Sequence, residues 1–295
     1  MVLIEDGSPD NALEICQALA SEHDKVRLLR HPNGENRGAG ASRNLGMRNA
    51  KFDYIAFLDA DDFFLPGRFS VASAIFDENP ACEGVYEAIG MYVEDKEGWE
   101  QWLASGKPLE RIKTIKESIK PSDLGIALIE GGKGHFSLDG FVIKRSVLEK
   151  SGNMDESLRI HQDTNFIIRA ALTAKLLPGS ITEPVTMWRV HQANRVSSPK
   201  SKIEKMQDRM SFLYSTYCWA KMNKQKNAKN LLVKELFSHM ASINEGEVQN
   251  LNKLNRVVKR FNQVSNCVRT HNEMLLEPQF WKSLLLFVFS AGGRI

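Results

Sequence analysis

The sequence has few cysteines and no pattern that would join them. The four cysteines, Cys16, Cys82, Cys218 and Cys267, are widely scattered over the 295 residues. No CxxC pair or Cys/His cluster is present, which argues against a structural zinc site and against a disulfide framework. A reducing compartment is the simplest interpretation of such cysteine usage.

Long apolar runs and a strong charge of one sign are also lacking. No run reaches the roughly 18 apolar residues of a membrane-spanning helix, and the first residues, MVLIEDGSPD, turn acidic at once, which predicts no signal peptide. The chain has 39 basic and 36 acidic residues, a net charge of +3. This balance is too small for a protein whose main task is to coat nucleic acid, so no nucleic-acid partner is expected.

The longest apolar run, LLLFVF at residues 284–289, has two interpretations. The first is a buried packing segment. The second is an interfacial helix that lies on a membrane surface, since Trp281 and Lys282 precede the run and Arg294 follows it.

What the sequence does contain is an alternation of strands and helices. Apolar strands are predicted near residues 2–4, 26–29 and 54–58, with a helix before the second and another before the third. This order predicts a parallel sheet covered by helices. Further along, residues 83–93 have strand composition, 94–133 form a polar, Lys-rich excursion, and HQDTNFIIRAALTAK is an amphipathic helix.

The segment FLDADD places three carboxylates at the end of a predicted buried strand. On an extended backbone the side chains of Asp59 and Asp61 point to the same side. Because parallel strands present their carboxyl ends at one edge, Asp6 of IEDGS is expected to lie near them. Clustered carboxylates favour a hard divalent cation such as Mg²⁺ or Mn²⁺. The alternative is an ordinary solvent-exposed turn.

A glycine-rich loop, NGENRGAGASRN, precedes the helix that ends near Ala50. Gly34, Gly38 and Gly40 would let backbone N–H groups approach an anion at a helix N-terminus. The loop lacks the Lys of a Walker motif. Taken alone, it is better explained as a flexible loop.

Together these motifs resemble the family 2 glycosyltransferases of GT-A fold. The resemblance rests on EDGSPD, NRGAGASRNLG, YIAFLDADD followed by LPGR, LRIHQDTNFIIRA and WRVHQANRVS, in this order, over roughly residues 1–198. It implies an α/β GT-A domain over 1–198, with a mostly parallel sheet flanked by helices. Residues 199–295, where strand signals disappear and basic residues outnumber acidic ones, are predicted to be a helical C-terminal region.

The resemblance also implies a nucleotide-sugar site. Asp6 matches the acid that contacts the base, and Asp59 the acid that approaches the ribose. Asp61 matches the acid that holds a metal on the diphosphate. Arg43 is expected near the nucleotide and Arg189 near the diphosphate.

The same resemblance implies the residues of the reaction centre. Asp163 in HQDT matches the catalytic base, although a helix-capping Asp is the alternative. His191 matches a His that completes the metal shell in some members, against a purely structural His. The segment GGKGHFSLDGF is expected to border the donor sugar and the acceptor, or to be a simple turn before a strand. Its candidate residues are His135, Asp139 and Gly140.

One part of the family pattern is not found. Members normally begin with an apolar strand that ends in a motif such as P-x-Y-N, and that strand lies centrally in the sheet. This sequence starts inside the second strand. We therefore expect either that the true start lies upstream or that the chain is truncated, and the first is favoured.

The leading prediction is an inverting, metal-dependent family 2 hexosyltransferase (EC 2.4). It would use a UDP-sugar and Mn²⁺ or Mg²⁺ to extend a glycan or a lipid-linked acceptor in polysaccharide biosynthesis. Its predicted location is cytoplasmic, with peripheral contact at the cytoplasmic face of the membrane through the C-terminal segment. The alternative is an inactive, glycosyltransferase-like binding partner. A nucleotidyltransferase is disfavoured, since its G-x-G-x-R-type loop is absent.

Overall fold

The structure is a computed structural model that describes residues 1–104, 112–192, 194 and 202–242. The chain divides into two compact units, Met1–Lys200 and Ser201–Ile295. The LLLFVF run and the part of the predicted helical region after residue 242 lie outside the described residues.

Ten strands and nine α-helices occur in the described residues. The strands are β1 (Val2–Glu5), β2 (Arg27–Arg30), β3 (Tyr54–Ala56), β4 (Phe63–Phe64), β5 (Gly84–Tyr86), β6 (Ile89–Val93), β7 (Ile112–Lys113), β8 (Phe141–Lys144), β9 (Leu176–Pro178) and β10 (Thr186–Val190). The helices are α1 (Ala12–Glu22), α2 (Ala39–Asn49), α3 (Ser70–Glu78), α4 (Lys96–Ala104), α5 (Pro121–Glu130), α6 (Val147–Ser151), α7 (Gln162–Thr173), α8 (Lys202–Met222) and α9 (Lys226–Ser242).

The N-terminal layer is a two-stranded parallel sheet, β1 with β2, covered by α1 and α2. The predicted strand–helix–strand order of this layer is confirmed. Gly7 follows β1 with φ +67°, and a Cβ there would lie 2.5 Å from the carbonyl oxygen of Gly34. Glycine is required at this position because the glycine-rich loop passes directly over the backbone.

The main core surrounds a four-stranded sheet in the order β3–β8–β5–β9. Phe141 and Ile143 of β8 are fully buried, as is Phe166 of α7. The helices α5, α6 and α7 pack together beside this sheet. The pairings in this sheet are mixed, since β3–β8 and β5–β8 are antiparallel whereas β5–β9 is parallel.

A second four-stranded sheet has the order β4–β10–β6–β7. The sequence predicted one strand over 83–93, but the structure divides it between the two sheets as β5 and β6. The break falls at Glu87, which is buried and forms an ion pair of 2.7 Å with Arg68. There the backbone N–H groups of Glu87 and Ala88 donate to Gly140 and Ser180, outside the paired strands. The ion pair with Arg68 satisfies the buried carboxylate.

The expected excursion at 94–133 contains regular structure. It includes α4, the short strand β7 at the edge of the second sheet, and α5. Leu124 of α5 is fully buried and belongs to the main core. The polar, charged residues before α5 dominate the composition of 94–133 and concealed a core helix whose own residues are mostly apolar.

Strands β1 and β3 each have a single neighbour among the described strands. Helix α2 lies against β1 and also places Met47 in the main core beside Ile55 of β3. The expectation of a further central strand stays a prediction.

In the second unit, α8 and α9 pack against each other. The buried residues Leu213 and Tyr217 of α8 and Leu232 and Leu236 of α9 follow the predicted helical spacing. In the described part of the chain, no helix is both long and apolar enough to cross a membrane.

Candidate functional site

The acidic edge lies where the chain leaves β3. One carboxylate oxygen from each of Asp59, Asp61 and Asp62 lies within 4.8 Å of the others. Three oxygen ligands at this separation fit a hard divalent cation, which prefers carboxylates and keeps further positions for water or phosphate oxygens. The residues present are therefore compatible with the predicted metal.

Arg43 connects this edge with α7. Its guanidinium donates through Nη2 to Asp59 Oδ1, while Nη1 is buried with no hydrogen-bond partner in the described part of the chain. Burial opposes the charged form, but attraction to Asp59 and then to Asp163 and Asp139 outweighs it and raises the pKa of Arg43. Arg43 thus contacts Asp59 directly and is also attracted electrostatically by Asp163 of α7 and by Asp139.

Asp62 joins the acidic edge to β10. Its Oδ1 accepts the backbone N–H of Arg189 at 2.9 Å. Burial raises the pKa of Asp62 to about 6, the neighbouring carboxylates of Asp61 and Asp59 add to the increase, and the hydrogen bond from Arg189 opposes it. The hydrogen bond thus fixes Asp62 against the backbone of β10.

Arg189 binds protein groups on both sides. Its Nε donates to the backbone carbonyl of Asp61, and its Nη1 lies 3.0 Å from Glu94 Oε1. The side chain is about one third exposed, so it still faces solvent. Arg189 is placed beside the acidic edge, where a diphosphate was expected.

His191 follows β10 and also reaches the acidic edge. Its Nε2 lies 3.3 Å from Asp61 Oδ2, and Asn194 Nδ2 lies 3.4 Å from the same oxygen. Asn194 Oδ1 in turn accepts the backbone N–H of His191 at 2.8 Å. An imidazole nitrogen beside a carboxylate is an arrangement that a metal can share, as predicted for His191.

Asp139 lies beneath the acidic edge. Its side chain is buried, and Oδ1 accepts the backbone N–H of Asp59 at 2.9 Å. Its backbone carbonyl accepts Arg68 Nε and Thr186 Oγ1, which ties it to the second sheet. Burial and the carboxylates of Asp59 and Asp62 raise its pKa well above the ordinary value.

The two other residues of the GGKGHFSLDGF segment have different surroundings. Gly140 is packed so closely that a Cβ there would lie 2.3 Å from the carbonyl oxygen of Glu87. His135 is exposed. The segment therefore supports the acidic edge through Asp139 and packs against the end of β5 through Gly140.

Asp6 binds the glycine-rich loop. Its two carboxylate oxygens accept the backbone N–H groups of Arg37 at 2.9 Å and Gly38 at 2.8 Å, and His31 Nε2 lies 3.4 Å away. Gly38, with φ +87°, is the N-cap of α2. The anion at this helix N-terminus is thus a side chain of the protein, which the glycine pattern alone did not predict.

Asp163 lies at the second residue of α7, and the N-cap is His161 in a left-handed conformation with φ +67°. Asp163 Oδ1 accepts the backbone N–H of Thr164 at 2.7 Å. Its Oδ2 has no hydrogen-bond partner in the described ranges. One oxygen thus helps to order the first turn, while the other is available to a proton donor.

Sequence reasoning missed several residues of the site. Glu94 and Asn194 contact predicted site residues. Asn194 stands in the WRVHQANRVS motif, which could have found it, whereas nothing in the sequence around Glu94 distinguishes it from a loop residue. Lys113 and Trp188 face each other on the inner side of the second sheet, with the amine 3.7 Å from the ring centroid. Trp188 immediately precedes Arg189 in WRVH, so the position of this motif in the sequence could have identified Trp188 as a site residue.

Comparison with known proteins places the chain in a family. The model of glycosyl transferase family 2 matches residues 1–152. An uncharacterised glycosyltransferase of Escherichia coli, YibD, is 28% identical over 199 residues, which are 65% of this chain and 55% of YibD. The minor teichoic acid biosynthesis protein GgaA of Bacillus subtilis is 24% identical over 196 residues, 64% of this chain and 39% of GgaA. The chain spans about half the length of the first curated relatives it matches.

Among solved structures, residues 1–349 of S. aureus TarS, in complex with UDP-GlcNAc, superpose with a TM-score of 0.58 at 14% identity. The match covers 97% of this chain and 72% of that one. A likeness at this identity concerns the fold, and it confirms the predicted α/β class with GT-A-type neighbours. Because the family model covers more than half of the sequence, this chain belongs to glycosyl transferase family 2.

Proposed function

We propose that this chain carries the catalytic site of a metal-dependent, inverting glycosyltransferase that transfers a hexose from a UDP-sugar. The observation that carries the proposal is the triad Asp59, Asp61 and Asp62, whose carboxylate oxygens lie within 4.8 Å of one another. Arg43, which contacts Asp59, is also attracted by Asp163 of α7. A site of this kind can hold a diphosphate on one side and deprotonate an acceptor on the other.

The residues divide the work as follows. Asp61, with Asp59 and His191, would hold Mn²⁺ or Mg²⁺ against the donor diphosphate. The bound cation supplies neutralisation of the charge that develops on the leaving diphosphate. Arg43 orients Asp59 by direct contact, and Arg189 lies beside Asp61, where it would bind the diphosphate.

Asp163 acts as the general base. Its Oδ2 accepts the proton of the acceptor hydroxyl while the hydroxyl oxygen forms the new bond to the anomeric carbon and the diphosphate departs. A single displacement of this type inverts the anomeric centre. It needs one base and no protein nucleophile.

The donor and acceptor classes are supported by two proteins that this chain resembles. The TarS structure in complex with UDP-GlcNAc supports a UDP-sugar donor. The name of GgaA supports a glycan or lipid-linked acceptor in polysaccharide biosynthesis. We extend both to this chain as proposals.

Isothermal titration with UDP, in the presence and absence of Mn²⁺, tests the proposal. We expect metal-dependent binding that weakens about tenfold or more in Asp61→Ala, since that variant loses one carboxylate ligand. Asp53→Ala, which removes an exposed carboxylate just before β3, is the matched control and should bind like the parent. Absence of metal-dependent nucleotide binding in a folded sample would favour the inactive, partner-binding alternative.

We further propose a cytoplasmic protein that contacts the membrane peripherally through residues 278–295. The support is the basic C-terminal region and the LLLFVF run. Deletion of residues 278–295 should reduce co-sedimentation with anionic vesicles. Unchanged co-sedimentation would remove this segment from the proposal.

A further inference from the structure

Lys113 projects from the inner face of the second sheet. It pairs directly with Ile89, and Ile89 pairs with Thr186, so these three side chains share one face. Trp188 lies two residues along from Thr186 and therefore belongs to the same face. The Lys113 amine lies 3.7 Å from the centroid of the Trp188 ring, which in turn packs edge-on against Trp102.

The surroundings of this amine are unusual for a lysine. Within residues 1–104 and 112–192, no carboxylate forms an ion pair with it. Burial lowers the pKa of Lys113, and attraction to Asp163, Asp139, Asp62 and Asp59 opposes the decrease. A partly desolvated amine whose one close contact is an aromatic face retains hydrogen-bonding capacity for a ligand.

Lys113 and Arg43 reach the site from different elements. Arg43 comes from α2 and contacts Asp59 directly. Lys113 comes from β7, on the sheet face that also bears Thr186, and Thr186 Oγ1 donates to the backbone carbonyl of Asp139 at 2.8 Å. Because Asp139 Oδ1 in turn accepts the backbone N–H of Asp59, this face of the second sheet lies against the loop beneath the acidic edge.

The proposed function determines what occupies this space. The diphosphate lies at the triad, and the acceptor hydroxyl lies at Asp163. The sugar must lie between them, because the acceptor hydroxyl attacks the anomeric carbon from one side while the bond to the diphosphate breaks on the opposite side. An amine on the Thr186 face of the second sheet, with no ion pair to the triad within residues 1–104 and 112–192, can reach the sugar without binding the diphosphate or its metal.

We propose that Lys113 is a specificity-determining residue that donates hydrogen bonds to an oxygen substituent of the donor sugar, with Trp188 fixing its position. This inference rests on the proposed function, and it names the part of the donor that the residue recognises. A carboxylate or carbonyl oxygen on the sugar would gain most from the charged donor.

The test compares UDP with UDP-glucose, UDP-GlcNAc and UDP-glucuronic acid by isothermal titration in the presence of Mn²⁺. In Lys113→Met, we expect the affinity for at least one UDP-sugar to fall about tenfold while the affinity for UDP is unchanged, the size of one charge-assisted hydrogen bond. Lys113→Arg should recover part of the loss, since it keeps a cationic donor. Lys96→Met, at a side chain of α4 that is 82% exposed, is the matched control.

Lys113→Met is expected to fold, because replacing a partly desolvated amine by an apolar side chain of similar length removes a desolvation cost. Thermal unfolding checks this, and Trp188→Phe gives a second variant that should weaken the same UDP-sugar and leave UDP binding intact. Equal losses for UDP and UDP-sugars in Lys113→Met would assign the amine to the diphosphate and overturn the proposal. Unchanged affinities for all four ligands would also overturn it. Failure of the parent protein to bind UDP with Mn²⁺ would instead overturn the proposed function itself.

Discussion

Two helices of the first unit, α1 and α7, have similar apolar periodicity but very different surroundings. Eight of the 12 residues of α7 are buried, including Phe166. None of the 11 residues of α1 is buried, and Ile15 is 52% exposed. Helix α7 packs against α5 and α6 beside the main core, whereas α1 packs mainly against the two strands of its own thin layer.

The contrast separates two sides of the site. The N-terminal layer supplies Asp6, whose carboxylate is already bound to backbone N–H groups of the loop. The buried side supplies Asp163 on α7, with the acidic edge between β3 and β10. Chemistry that needs fixed geometry is expected on the buried side, because neighbouring side chains hold each group in place.

The largest expected effect is on turnover. Asp163→Asn should lower kcat about 10³-fold, since loss of a general base typically costs this much, while UDP binding with Mn²⁺ is retained. Transfer or donor hydrolysis, measured as UDP release, checks this. Asp24→Asn, an exposed acid of the N-terminal layer, is the control. Retained transfer in Asp163→Asn would remove Asp163 from its role.

The next effect is on stability and tests the contrast directly. Phe166→Ala should lower the free energy of unfolding by about 3 kcal/mol, because it leaves a cavity in the main core. Leu19→Ala on α1 should lower it by less than about 1 kcal/mol, since that side chain is already 36% exposed. Urea unfolding of both variants decides the matter. Similar losses would show that α1 is better covered than the described residues indicate.

A smaller effect is expected from pH on the acidic edge. The pKa of Asp62 is raised from the ordinary 3.8 to about 6 in the folded protein. The folded state therefore binds the proton more tightly than the unfolded chain, and the free energy of unfolding should fall as pH rises from about 4 to about 6. The expected fall is about 2 kcal/mol relative to Asp62→Asn.

Urea unfolding at several pH values, with a chelator present, measures this difference. In Asp62→Asn the amide oxygen of the new side chain can still accept the backbone N–H of Arg189, so the comparison isolates the charge. Parallel pH profiles for the two proteins would contradict the assignment.

Much of the fold could be predicted from the sequence where one periodicity dominates. The strands near residues 2–4 and 54–58 and the helix of HQDTNFIIRAALTAK were predicted because their apolar spacing is strong. The division of 83–93 into β5 and β6 could not be predicted, since β5 pairs with β8 and β9 whereas β6 pairs with β7 and β10, and all four strands are distant in sequence. Helix α5 was missed because the polar, charged residues before it dominate the composition of 94–133.

The candidate site could also be predicted in part from the sequence. The carboxylates Asp59, Asp61 and Asp163 stand in motifs that are recognisable in the sequence. Asp139 was predicted to contact a ligand but is buried under Asp59, because the loop before β8 passes beneath the acidic edge. The metal, the donor and the base stay proposals until binding and turnover are measured.

The sequence by itself determined the alternation of strands and helices, the acidic residues at the strand ends and the family. These features are local, since each depends on residues within a few positions of one another. Only the tertiary structure decided which groups meet: Arg43 with Asp59, Arg189 with Asp62, and Lys113 with Trp188. Such contacts join segments far apart along the chain, so packing and electrostatics in the folded protein set them.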